Sequence, residues 1–173
     1  MHLTTHEKRT KNTKSGTITA HITLGDTNVR WHCRRNGEED QLSPFVFGRG
    51  EEFLDSHAKD GDNREFCLEY LRNTKKIVMN TFFQKTPSAK VTYKGMGIAD
   101  KEQPFTPDRF AELDQCLINQ KWRNSITNVE SETGIYVNSD HFPVTITCEM
   151  KLEAKQKRED KGASWTGGNT KGK

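Results

Sequence analysis

The apolar residues of this chain fall into short alternating runs, and that pattern restricts it to a fold built mainly from short strands. Ile18, Ala20, Ile22 and Leu24 alternate with polar residues and stop at Gly25-Asp26-Thr27-Asn28, a turn-forming tetrapeptide. Phe142, Val144, Ile146, Cys148 and Met150 form a second such run. Between them, Ile77-Val78-Met79, the set Ala89, Val91 and Tyr93, the segment Leu113–Ile118, and the pair Ile126 and Val129 each predict a further strand. One clear helix interrupts the series. Asp62-Asn63-Arg64-Glu65 has the form of a capping box, and Phe66, Cys67, Tyr70 and Leu71 follow at helical spacing until about Asn73. Trp122 falls in a short turn or a single helical turn. Residues 29–61 have no period and read as a long loop, a kind that is usually functional or disordered. Residues 95–110 hold two glycines and two prolines and read as loop as well. Short strands with one or two helices predict a mixed α/β sandwich rather than a doubly wound parallel sheet.

Composition bounds what surrounds those strands. Of 173 residues, 31% are hydrophobic and 29% charged, and the mean hydropathy is −0.92. A chain this polar carries disordered flanks or folds poorly alone. The charge is placed accordingly. Residues 1–15 carry +3 and residues 151–173 carry +4, so with a total of +3 the body, 16–150, carries −4. We therefore divide the chain into a basic disordered segment over 1–16, one domain over 17–150, and a basic disordered tail over 151–173. A body of negative charge is not a wholly basic nucleic-acid-binding surface, but basic arms can meet phosphate backbones. No apolar run reaches membrane-spanning length and no leader precedes the first strand, so the expectation is a soluble chain that is not secreted and does not engage a membrane. It is expected to be intracellular, and nuclear if its source is eukaryotic. Cys33, Cys67, Cys116 and Cys148 are too scattered for a zinc site and read as reduced thiols, mostly buried.

Three aspartates stand where strands begin, run or end. Asp26 follows the first run and precedes Asn28. Asp114 interrupts an otherwise apolar strand. Asp140 precedes His141 at the start of the last strand. A carboxylate in an apolar strand requires a partner, and His141 is a natural one for Asp114. That leaves Asp140 for a cation and Asp26 for a proton. Phosphodiester hydrolysis uses such a set: a hard divalent cation with oxygen ligands, a carboxylate that activates water, and Asn and His donors for the charge that develops on phosphoryl oxygens.

Taken in order, Gly25-Asp26-Thr27-Asn28, Leu113-Asp114 and Ser139-Asp140-His141-Phe142-Pro143-Val144 resemble the C-terminal motifs of the endonuclease/exonuclease/phosphatase superfamily. The text between them, Ile77-Val-Met-Asn-Thr-Phe-Phe83 and Gln120-Lys-Trp-Arg-Asn-Ser125, is similar to the branch found in non-LTR retrotransposons. The resemblance covers roughly residues 18–150. It implies a partial two-sheet α/β sandwich with mostly antiparallel short strands. It also implies a Mg²⁺- or Mn²⁺-dependent phosphodiesterase acting on nucleic acid, DNA in this branch. By the same resemblance Asp26 is the general base, Asn28 and His141 hold and stabilise the phosphate, Asp114 orients His141, Asp140 is a metal ligand and Thr92 lies near the phosphate. Asn80 would support Asn28 from a neighbouring strand. The family's first half supplies an asparagine, a metal-binding glutamate and a tyrosine or histidine, and nothing in Met1–Gly16 resembles those motifs. The expectation is thus a domain fragment with an incomplete metal site and impaired activity. Its competitors are a noncatalytic nucleic-acid-binding or interaction remnant that uses its basic tails, and a fragment that does not fold stably. Trp31, Trp122 and Trp165 are candidates for base stacking, with Trp122 better explained as core. Gly48-Arg-Gly50 lacks the GK[ST] of a P-loop.

Overall fold

A computed structural model describes residues 20–57, 62–98 and 104–150. The first segment, 1–16, and the tail, 151–173, lie outside the described residues. In chain order the elements are β1 (Ile22–Asp26), α1 (Glu51–Ser56), α2 (Asp62–Thr74), β2 (Lys76–Val78), β3 (Tyr93–Lys94), β4 (Phe110–Ala111), β5 (Asp114–Asn119), β6 (Ile126–Ser131) and β7 (Val144–Cys148). Three 3-10 turns intervene, at Met79–Phe82, Pro87–Ala89 and Gln120–Ser125. The chain is thus mixed α/β, with short antiparallel strands in small sheets. The strands form a three-stranded sheet of order β1-β5-β2 and two pairs, β3-β4 and β6-β7.

Strand β5 is the axis of the molecule because it is apolar on both faces. Leu117 points into one core with Val29, Trp31, Leu42, Cys67, Leu68, Leu71 and Val78. Cys116 and Ile118 point into another with Ile77, Met79, Ile126 and Val129, backed by Trp122 and Ile146. Helix α2 thus closes one face of the central sheet and the β6-β7 pair closes the other. A third, smaller cluster of Val91, Phe105, Phe110 and Phe142 joins the β3-β4 pair to the start of β7.

The segment expected to be one long loop, 29–61, instead contains helix α1 and part of the main core. Its order comes from polar anchoring that hydrophobic periodicity does not register. The Arg64 side chain is fully buried. It donates to the Trp31 carbonyl at 3.2 Å, to the Cys33 carbonyl at 3.3 Å and to Glu38 Oε2 at 2.5 Å. Gly48 packs so closely that a Cβ there would fall 2.2 Å from His32 Cα. The glycine is thus explained by packing and not by phosphate binding. Trp31, 1% exposed, is core and has no face for a base. Trp122 packs against the second cluster.

Other differences are smaller. Ala89 falls in a 3-10 turn, and the strand expected around it shrinks to Tyr93–Lys94, because Pro87 sets a turn there. Phe66 lies 65% exposed on α2 although its helical spacing suggested a buried position. All four cysteines are unbridged; Cys67 and Cys116 are buried, Cys33 is half-buried and Cys148 is exposed. Burial pushes the Cys67 thiol up to about 11 and the Cys116 thiol up to about 12, so neither is a ready nucleophile. No helix among the described residues is long and apolar enough to cross a membrane.

Candidate active site

Three chain segments converge at one end of the central sheet. The first is the end of β1. Asp26 is followed by a turn in which its Oδ1 accepts the N–H of Asn28 at 2.7 Å, and Asn28 adopts a left-handed φ of 52°. Asparagine tolerates that conformation better than most residues, so the Asp-x-Asn spelling is dictated locally by the turn. Thr27 anchors it by donating from both its N–H (3.0 Å) and its Oγ1 (3.1 Å) to the carbonyl of Leu113. Asn63 Nδ2 donates to the Asn28 carbonyl at 3.2 Å.

The second segment is the start of β5, whose Asp114 lies directly opposite Asp26 in the antiparallel register. Paired residues of adjacent strands project to the same face, so the two carboxylates share one side of the sheet. The third segment enters β7. His141 bridges to Tyr93, and the Lys94 N–H donates to the Asp140 carbonyl at 2.9 Å. Ser139 Oγ accepts the His141 N–H at 3.0 Å.

The side chains meet in a line. His141 Nδ1 stands 2.7 Å from Asp114 Oδ2, a strong hydrogen bond. A carboxylate accepts, so Nδ1 carries the proton and Nε2 is left at the far side of the ring. There it faces Asp26 Oδ2 at 3.9 Å, too far for a direct hydrogen bond. The Tyr93 ring packs edge-on against the imidazole, with centroids 5.2 Å apart. The Asp114 and His141 side chains are 22% and 29% exposed, so the array is held by the fold yet open to solvent. Such a line can move a proton at Nε2 or at Asp26 while Asp114 keeps the imidazole oriented.

Thr92 occupies a different position from the other site residues. It is 1% exposed, and its Oγ1 accepts the N–H groups of Leu113 (2.8 Å) and Asp114 (2.9 Å). Its own N–H donates to the Ala111 carbonyl and its carbonyl accepts the Phe142 N–H, both at 2.8 Å. Thr92 thus brackets the segment carrying Asp114 to the segment carrying His141. Asn80 does not bond Asn28. Its Nδ2 donates to the Asp114 carbonyl at 3.0 Å and its Oδ1 accepts the Cys116 N–H at 2.8 Å.

Asp140 is exposed, and its carboxylate makes no bond to another described residue. Among the described residues there is no group of three or more His, Cys, Asp and Glu side chains at metal-holding spacing.

No protein-family model matches the chain, and no curated protein does either. The assignment of the site therefore rests on the geometry and on the motifs. Tyr93 and Thr27 carry no chemistry-bearing pattern of their own and were not legible as site residues. The one available signal was their adjacency to Thr92 and Asp26.

Proposed function

We propose that this chain carries the catalytic end of an endonuclease/exonuclease/phosphatase-type domain of the retrotransposon branch, a partial two-sheet sandwich that hydrolyses phosphodiester bonds of nucleic acid. The observation that carries the reading is the His141 imidazole, bonded to Asp114 through Nδ1 at 2.7 Å and presenting Nε2 toward Asp26 at 3.9 Å. The motifs that prompted the reading are far apart in the chain, and four of their residues, Asp26, Asn28, Asp114 and His141, lie around this one array.

In this reading Asp26 takes the proton of the attacking water. Its Oδ1 is engaged by the Asn28 N–H, which leaves Oδ2 for that proton. The Asn28 amide holds the scissile phosphate. His141, oriented by Asp114 through Nδ1, donates at Nε2 to the phosphoryl oxygens in its doubly protonated, charged form, as charge develops on them. Thr92 holds Asp114 and His141 in register. Asp140 is the ligand for Mg²⁺ or Mn²⁺, which when bound supplies charge neutralisation at the phosphate. DNA is the proposed substrate.

The test is nicking of supercoiled plasmid with Mg²⁺ or Mn²⁺ by the parent chain and by Asp26→Ala and His141→Ala. We expect slow nicking by the parent and a loss of about 100-fold or more in either variant, the range over which general acid-base groups act. Equal nicking by parent and variants would mean a contaminant and would sink the assignment. A folded parent that binds plasmid without nicking it would be a noncatalytic nucleic-acid-binding remnant.

A further inference from the structure

We propose that Lys90 is a positioning residue for this site, acting through Glu112 and Asn80 on the strand that carries Asp114. The inference rests on the hydrolytic reading above for its consequence, but not for its geometry.

Lys90 is 6% exposed, and so is Glu112. Two charged side chains in a core of this size are unusual, since burial of an ionic pair rarely stabilises more than apolar packing of the same volume. What the pair holds is therefore informative. Lys90 Nζ donates to the main-chain carbonyl of Asn80 at 2.8 Å and stands 3.7 Å from Glu112 Oε1. The same Glu112 oxygen accepts Asn80 Nδ2 at 3.3 Å. Asn80 is thus gripped at its backbone by the lysine and at its side chain by the glutamate.

The grip matters because of what Asn80 replaces. Strand β2 pairs with β5 only as far as Val78 opposite Leu117. Beyond that the chain turns away in the 3-10 turn at Met79–Phe82. On this flank of β5, the Asp114 carbonyl and the Cys116 N–H are taken by the Asn80 amide. One side chain thus continues the ladder past the end of the strand. On the N–H side, Asp114 is held by Thr92 Oγ1. The backbone of the residue that orients His141 is thereby fixed at both its N–H and its C=O, and the C=O clamp leads back to Lys90. Burial lowers the Lys90 ammonium and raises the Glu112 carboxyl from their ordinary values, while each opposes the shift of the other. Either one alone would be driven toward neutrality, and its hydrogen bond to Asn80 would lose the charge that strengthens it.

Lys90→Met alone leaves the buried Glu112 without its cation, which destabilises the fold by itself. The deciding variant is Lys90→Met with Glu112→Gln, which leaves no buried charge behind. The readout is the tautomer of His141, from ¹⁵N shifts of its two ring nitrogens in the full chain at a pH where the ring is neutral, beside plasmid nicking. We expect the parent to hold the proton on Nδ1. We expect the double variant, melting cooperatively like the parent, to lose that preference and to nick about 10-fold more slowly. A cooperatively melting double variant that keeps Nδ1 protonated would overturn the proposal and leave the pair a packing feature only. The tautomer is read without substrate, so it decides the positioning role even if the parent proves unable to nick.

Discussion

At the scale of single residues, buried polar groups fix the main chain next to the site. Thr92 illustrates this. Its hydroxyl satisfies two main-chain N–H groups, the buried one of Leu113 and the half-buried one of Asp114. Thr92→Val keeps the volume and removes the acceptor, and an unsatisfied buried donor costs about 1–3 kcal/mol. We expect Thr92→Val to lower the denaturant midpoint and to slow nicking together. If Thr92 served only as a phosphate contact, nicking would fall with the midpoint unchanged, and urea titration beside the plasmid assay separates the two. Glu38 offers a second test. Burial alone would push its carboxyl up, but the hydrogen bonds from Arg64 and the Arg35 N–H, with the nearby guanidinium charge, hold it below the ordinary value. A carboxyl depressed in the folded state contributes stability above its unfolded pKa, about 4.3 for glutamate, and that contribution fades as pH falls through the lower folded value. The melting temperature should therefore drop steeply on acidification below about pH 4. Glu38→Gln removes the buried partner charge of Arg64, which keeps its 3.1 Å bond to the exposed Glu65, and should lose about 1.5–3 kcal/mol at neutral pH and show a flatter acid limb. An acid limb as steep as the parent's would show that other carboxylates set it.

At the scale of elements, what could be read from the sequence followed periodicity, and what escaped it followed polar anchoring. Strands β1, β2, β5, β6 and β7 and helix α2 announce themselves by alternation or helical spacing, and the structure has each within a few residues of the expected bounds. Helix α1 and the ordered segment ahead of it escaped, because the segment is held by one buried guanidinium and the scattered apolar residues Val29, Trp31 and Leu42, and α1 is tied to it by the pairing of Arg35 with Asp55. No window of sequence shows those three as one face. Similarly, Asp114 and His141 were legible as partners from an aspartate set in an apolar strand, whereas the clamp on Asp114 was not, since Asn80, Lys90 and Glu112 are 10 and 22 positions apart in chain order. Strand β5 is the element on which both main cores depend. Leu117, 3% exposed, faces α2, and Leu117→Ala should cost about 2–5 kcal/mol. Since β5 also carries Asp114, the loss should be accompanied by reduced nicking well below the new midpoint. Full nicking by a variant destabilised to that extent would show that the site end of β5 is held independently, by Thr92 and Asn80.

At the scale of the whole molecule, the cores on β5 are closed, but among the described residues the β1 edge of the sheet they share is not. Ile22 and Leu24 lie opposite Ile118 and Cys116 in the register and share the face that the β6-β7 pair covers over β5. That cover does not reach β1. Leu24 is 58% exposed and Ile22 37%, and among the described residues β1 pairs with β5 alone. An edge strand with exposed apolar side chains and an unpaired main-chain row is a template for association with another chain. This edge ends at Asp26, so whatever joins it would also lie against the site. We expect the parent chain to self-associate with rising concentration. Leu24→Lys, which places a charge in the middle of the edge two residues before Asp26, should shift that association to higher concentration. Light scattering across a dilution series, beside plasmid nicking of the same samples, makes the comparison. Nicking that falls on dilution and is weakened by Leu24→Lys would mean that the edge pairing completes the site. Unchanged nicking with reduced scattering would mean that the edge is an aggregation liability and the site works within one chain.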